Sequence, residues 1–118
     1  MKKIYIFVIV LVLSCTSAFS QINTVPKFEK NMLMMRIIES ANLFVPSRIY
    51  ITDGYGLEYT QELKYAANGK SMTENAVVIA NVMNQLMEQG YELISSNGTS
   101  LGNDGSPIFA NYIFRKPK

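Results

Sequence analysis

Few side chains in this sequence can do chemistry, and most of them stand where a fold would use them for itself. Glu58 and Glu62 share one parity of an alternating segment, so they fall on one face of a strand. Carboxylates about 5 to 10 Å apart are the apparatus of glycoside hydrolysis, but solvated strand faces carry such residues routinely. Asp53 sits in Asp53-Gly54-Tyr55-Gly56, where it can hold a cation or a sugar hydroxyl, or simply shape a tight turn. Asp104, between Gly102 and Gly105, has the flavour of a calcium loop without its spaced carboxylates and closing glutamate. Lys70 and Ser71 are adjacent, but adjacency at a helix start does not set a base against a hydroxyl, and capping accounts for the serine. Asn97-Gly98-Thr99 matches a glycosylation sequon.

Tyrosine is the remaining candidate. An aromatic ring with a polar tip suits recognition, and Tyr50 and Tyr55 bracket the glycine turn, where a hairpin tip would leave them partly exposed. With Asp53 they form the candidate ligand- or partner-binding set. The competing expectation is that Tyr50, Tyr55, Tyr59, Tyr65, Tyr91 and Tyr112 cover the sheet.

The first twenty residues speak of address. Lys2 and Lys3 precede an unbroken apolar run at 4–13, followed by small and polar residues at 14–20, the order of a secretory signal sequence. The run is far shorter than the roughly 20 residues that cross about 30 Å of hydrocarbon, so no transmembrane helix is expected in the mature protein. Ala18 and Ser20 fit the positions before a cut, giving a start at Gln21. Val12, Leu13 and Ser14 before Cys15 also resemble a lipobox, which would attach lipid to Cys15. The protein is therefore expected in the periplasm or outside the cell, or alternatively lipid-anchored to the envelope.

Removing this segment changes the composition. It holds the only cysteine and two basic residues, so nine basic and nine acidic residues remain, with no histidine or tryptophan anywhere. Thiol nucleophiles, disulfides, zinc clusters and histidine bases are excluded from such a domain, and no cofactor or metal motif is present. Charge balance argues against nucleic acid as a partner.

Residues 21–31 read as a short polar leader containing Pro26, and residues 32–118 as one domain. Met32–Glu39 reads as a first strand with Arg36 interrupting one face, although its methionines and leucine also suit a helix, and 42–47 as a connection broken by Pro46. Arg48–Thr52 alternates, with Ile49 and Ile51 on one side. Beyond the glycine turn Leu57, Tyr59, Gln61, Leu63 and Tyr65 alternate with Glu58, Thr60, Glu62 and Lys64, which predicts a half-buried strand. Asn68 and Gly69 mark a turn, and Ser71 with Glu74 form a capping-box pattern, with Thr73 as a rival cap, for a helix beginning near Met72. Ala76, Ile79, Ala80, Met83 and Met87 recur at helical spacing with Val82 and Leu86 beside them, while Asn81, Asn84, Gln85, Glu88 and Gln89 form the outer side. Gly90 stops the helix. Residues 91–95 predict a fourth strand, 97–106 a polar loop, and Ile108–Arg115 a central last strand with apolar groups on both faces. The expectation is an α+β domain, one amphipathic helix on a mainly antiparallel sheet, in the order β-β-β-α-β-β.

Gly90, Tyr91, Glu92, Leu93 and Ile94 after an amphipathic helix, then Tyr112, Ile113, Phe114, Arg115, Lys116 and Pro117 at the end of the last strand, form a pattern. It resembles the small exported bacterial domains of unknown function marked by a Gly-Trp-Glu-Leu/Phe-Val run and a final strand ending aromatic, basic, basic. The likeness covers roughly residues 32–117, including an Asp-x-Gly hairpin at Asp53. Tyr91 stands where that family has tryptophan, and little before Arg48 aligns. The resemblance implies an architecture and no catalytic set.

Taken together, these residues favour an exported, non-catalytic binding or interaction module meeting a protein or a glycan through the hairpin at 48–61 and the loop at 97–106. A small envelope hydrolase using carboxylates or tyrosine is the alternative from another class. A structural envelope component that associates through a sheet edge is the third.

Overall fold

The computed structural model describes residues 24–99 and 107–118. The readings placed on the first twenty residues, Cys15 and Asp104 lie outside the described residues. Burial alternates along the first strand, β1 (Met32–Glu39), although its sequence is mostly apolar: Leu33, Met35 and Ile37 enter the core and Met32, Met34 and Arg36 face solvent. β2 (Arg48–Thr52) buries Ile49 and Ile51, and β3 (Glu58–Glu62) buries Gln61 on the same side. A helix, α1 (Gly69–Glu88), is followed by β4 (Glu92–Thr99) and β5 (Ile108–Arg115). The five strands form one sheet in the order β3-β2-β1-β5-β4, and every neighbouring pair is antiparallel. This is the α+β fold with the order β-β-β-α-β-β.

The helix joins the two outermost strands. Four interstrand gaps of about 4.8 Å separate β3 from β4 by roughly 19 Å. Twenty helical residues, at about 1.5 Å each, run about 30 Å, enough to cross the sheet in one element. In crossing, α1 lays Val82 and Leu86 on the inner face, with Val78, Ile79 and Met83 packed around them. The buried stripe is therefore turned from the sequence expectation: Ala76, Ala80 and Met87 are exposed. Asn75 also lies inward and is almost fully buried.

The helix start differs from the expected capping box as well. Asn68 is the N-cap, its side-chain Oδ1 accepting from Ser71 N at 2.9 Å, so the helix begins at Gly69 and not near Met72. Glu74 is taken instead by Lys64. What fixes this junction is Asn75, whose Oδ1 accepts from Lys64 N at 2.7 Å and whose Nδ2 donates to Lys64 O at 2.8 Å. A buried side-chain amide thus pairs with the backbone just past β3, and the register of the helix follows from that bond. At the other end Gly90 adopts φ 94, which only glycine takes without strain, and turns the chain into β4.

β4 is longer than expected from its composition. Residues 96–99 look like loop, yet Ser96, Asn97 and Gly98 pair with Tyr112, Asn111 and Ala110, after an irregularity between Leu93 and Ser95. The polar loop expected at 97–106 therefore begins no earlier than residue 100. β5 is interior, between β1 and β4, and β1 occupies the centre.

The segment read as a polar leader has no regular structure, but Val25 and Phe28 are buried in the core. Two glutamines expected on the outer side of the helix hold it there. Gln85 Oε1 accepts from Val25 N at 2.8 Å, while Gln89 Oε1 accepts from Phe28 N at 2.9 Å and its Nε2 donates to Pro26 O at 2.8 Å. The segment then meets the end of β5 through Lys116 N, which donates to Asn31 O at 2.8 Å.

This arrangement makes two phenylalanines opposite in consequence. Phe28→Ala removes a side chain with 0% exposure and is expected to cost about 3 to 5 kcal/mol of stability in urea unfolding. Phe44→Ala, at 93% exposure in the turn between β1 and β2, is expected to change it by less than about 0.5 kcal/mol. A small effect at Phe28 would remove the N-terminal segment from the core.

Candidate functional site

The three residues singled out from the sequence do not converge on one site. Asp53 is consumed by its own loop: Oδ1 accepts from Tyr55 N at 2.7 Å and from Leu57 N at 3.2 Å, and Asp53 N donates to Leu57 O at 3.3 Å. Gly54 and Gly56 supply the positive φ values, 77 and 111, that let the chain fold around that carboxylate. Tyr55, 78% exposed, lies at the tip under Lys30, whose Nζ is 4.3 Å from the ring centroid. Tyr50 is elsewhere, half-buried on the face of the sheet that the helix does not cover.

That open face carries its side chains in ordered rows. Strand register places Arg36 of β1 directly between Tyr50 of β2 and Asn111 of β5. On one side of this row Met34 stands between Thr52 and Ile113, and on the other Ile38 stands between Arg48 and Phe109. The polar row continues to Thr60 and Asn97 at the two edges. A polar stripe thus crosses all five strands with apolar pairs on both sides of it. Met34, Arg36, Ile38, Tyr50 and Thr52 line a shallow depression of about 370 Å³. A second hollow, about 330 Å³, adjoins it at Met32, Ile113 and the glycine turn.

The charges on this face are not equivalent. Arg48 is paired with Glu62 at 2.8 Å, and Arg115 lies 3.9 Å from Glu92. A hydrogen bond with Tyr50, followed by the charge of Glu62, holds the Arg48 guanidinium above its ordinary pKa. Arg36 instead donates from Nε to Asn111 Oδ1 at 2.8 Å, and among the described residues it has no carboxylate partner. Asn111 fixes the plane of the guanidinium without neutralising it.

Other candidates resolve into structural roles. Glu58 and Glu62 share the open face, where four residues at about 3.3 Å set their backbones about 13 Å apart, and the Glu62 carboxylate is taken by Arg48 at 2.8 Å. Among the described residues, no three His, Cys, Asp or Glu side chains converge to hold a metal. Among the same residues, no helix is long and apolar enough to cross a membrane. A cleft of about 500 Å³ lies between β3 and α1, lined in part by Leu63, Val77 and Val78 and bordered by the Lys64–Glu74 pair. The Lys64 hydrogen bond is the main influence that lowers the Glu74 carboxyl below its ordinary pKa.

Three features escaped the sequence reading. Arg36 was visible as an interruption, but only the register reveals Asn111 and Tyr50 as its neighbours. Leu43 and Phe44, 82% and 93% exposed, project from the β1–β2 turn, where Asn42 Oδ1 accepts from Phe44 N at 2.9 Å. A pair of large apolar residues next to a turn-forming asparagine was the available signal. Gln85 and Gln89 carried none, because a glutamine looks the same whether it clamps a backbone or faces water.

Tyr91 is a core residue, 3% exposed, whose hydroxyl donates to Lys30 O while Lys116 Nζ lies 4.8 Å from its ring centroid. No protein-family model, no curated protein and no solved structure matches this chain.

Burial, then the charges of Glu29 and Asp53, raise the Tyr91 phenol above its ordinary value near 10. A raised pKa contributes stability that is complete below the unfolded value and is lost as pH rises through the folded one. Tyr91→Phe is therefore expected to lower stability at neutral pH by about 1 to 3 kcal/mol, by stranding the Lys30 carbonyl. It should also flatten part of the alkaline loss of stability above about pH 10. Chemical denaturation between neutral and alkaline pH reads both effects, and an unchanged alkaline limb would contradict the assignment.

Proposed function

We propose that this protein is an exported, non-catalytic interaction module whose contact surface is the open face of its sheet. One observation carries the reading. Among the described residues α1 covers one face, while the other leaves Met32, Met34 and Ile113 beside Tyr50, Ile38 and Phe109, all wholly or partly exposed, around an ordered polar row. Exposed apolar groups arranged around fixed polar ones mark association sites. The hairpin contributes Tyr50 to this surface. Asp53 serves to hold the turn.

Kinship with the Gly-Trp-Glu-Leu/Phe-Val domains belongs to the same proposal. Its support is that Gly90 ends the helix with positive φ and that Tyr91 fills the aromatic position as a buried anchor. A second reading has its own observation: β4 is an edge strand of eight residues whose sequence contains no lysine, arginine or proline. Such edges pair with other strands unless guarded. β3, by contrast, is short and carries two glutamates.

Two measurements test the reading. Intact mass of the protein recovered from its native envelope is expected to give a chain beginning at Gln21, or one carrying lipid on Cys15; an unprocessed Met1 start would remove export. A photoreactive residue at Ile38 or Phe109 is expected to capture a partner in cells, whereas the same probe at Ala76, exposed on α1, is not. Capture only from α1 would transfer the contact to the helix.

A further inference from the structure

Building on the open face as the contact surface, we propose that its occupant is a peptide segment of a partner protein carrying a carboxylate between apolar side chains, with Arg36 as the receptor. Charge complementarity is the ground. Arg48 and Arg115 face carboxylates of this chain, whereas Arg36, at the centre of the face, has none among the described residues. The Nε–Asn111 Oδ1 bond of 2.8 Å uses one edge of the guanidinium. The two terminal nitrogens remain, a planar fork that matches the two oxygens of a carboxylate.

The surroundings select among carboxylate carriers. Met34 and Ile113 on one side and Ile38 and Phe109 on the other place apolar contacts on both flanks of Arg36. Methionine adapts its shape to varied side chains, and apolar flanks reward apolar residues next to the acid. Glycan platforms rest on exposed aromatic rings. Here the rings in the grid are Tyr50 and Phe109, both half-buried, and the sequence has no tryptophan. A second copy docked face to face about a two-fold axis at the centre of β1 would set Arg36 against its own counterpart, a like-charge contact that opposes such packing.

Random peptides displayed on phage, selected against the full protein and against Arg36→Gln and Ile38→Asp variants, test this. Far-ultraviolet circular dichroism confirms that each variant retains the fold, since Arg36 is exposed and Ile38 half-exposed. The wild type is expected to enrich Asp or Glu flanked by apolar residues. A blocked synthetic peptide of the enriched sequence should bind about tenfold or more tightly than its Gln or Asn counterpart. Arg36→Gln should erase that ratio and the acidic enrichment, Arg36→Lys should restore part of it, and Ile38→Asp should abolish binding of both peptides.

Acid-free peptides from the wild type, or a ratio that survives Arg36→Gln, would overturn the carboxylate assignment. Ile38→Asp sensitivity in that case would leave the open-face reading standing, and indifference to both substitutions would remove it too. Enrichment of nothing overturns the peptide assignment, as does sedimentation showing a dimer that Ile38→Asp dissolves, or preferential binding of acidic oligosaccharides over the peptide.

Discussion

The helix α1 is too narrow to cover a five-stranded sheet, and the rest of the described structure follows from that mismatch. An α-helix with its side chains is about 10 Å across, whereas the strands span roughly twice that width. α1 therefore supplies a narrow ridge, Val82 and Leu86, on the inner face. What lies beside the ridge has to come from elsewhere, and the outer face receives no cover from it at all.

The inner face is completed by chain that has no regular structure of its own. Val25 and Phe28 close the core near the C-terminal end of the helix. A segment without ladder hydrogen bonds must still satisfy its buried backbone groups, and Gln85 and Gln89 do this from the side of α1. At the opposite end Asn75 performs the same service for Lys64. Three side-chain amides thus tie the helix to the chain on either side, where apolar packing alone would leave its rotation loosely defined. Between α1 and β3 the cover is incomplete, and a cleft remains.

The outer face solves a different problem. Strands in the interior of a sheet have both faces to account for, and β1 and β5 carry apolar residues on each. With no second layer among the described residues, Met34, Ile38, Phe109 and Ile113 stay at the surface, separated by the row that contains Tyr50, Arg36 and Asn111. The row keeps the apolar groups from merging into one patch, which limits indiscriminate association. It also sets a cation in the middle of the face, which gives the surface a chemical preference beyond hydrophobicity.

Wherever the determining contacts are local, the sequence by itself settles the outcome. Arg48–Thr52 is readable as a strand because alternation with period two is a property of neighbours, and Met32–Glu39 and Ile108–Arg115 because short, mostly apolar runs suit strands in the interior of a sheet. The glycine turn around Asp53 and the helix stop at Gly90 are readable because their backbone conformations need glycine. The existence of the helix, and from these pieces the fold class, follow in the same way. The tertiary structure decided what depends on residues distant in the chain. Ser96, Asn97 and Gly98 have little strand preference, and become strand because β5 offers a ladder. Asn68 prevails over Ser71 as the cap because the chain leaving β3 is pinned by Asn75. Phe28 enters the core because the helix is too narrow to fill it. Arg36 acquires Asn111 and Tyr50 as neighbours only when β5 and β2 come to lie on the two sides of β1. Periodicity fixes which way a side chain points; only the pairing of strands fixes what it points beside.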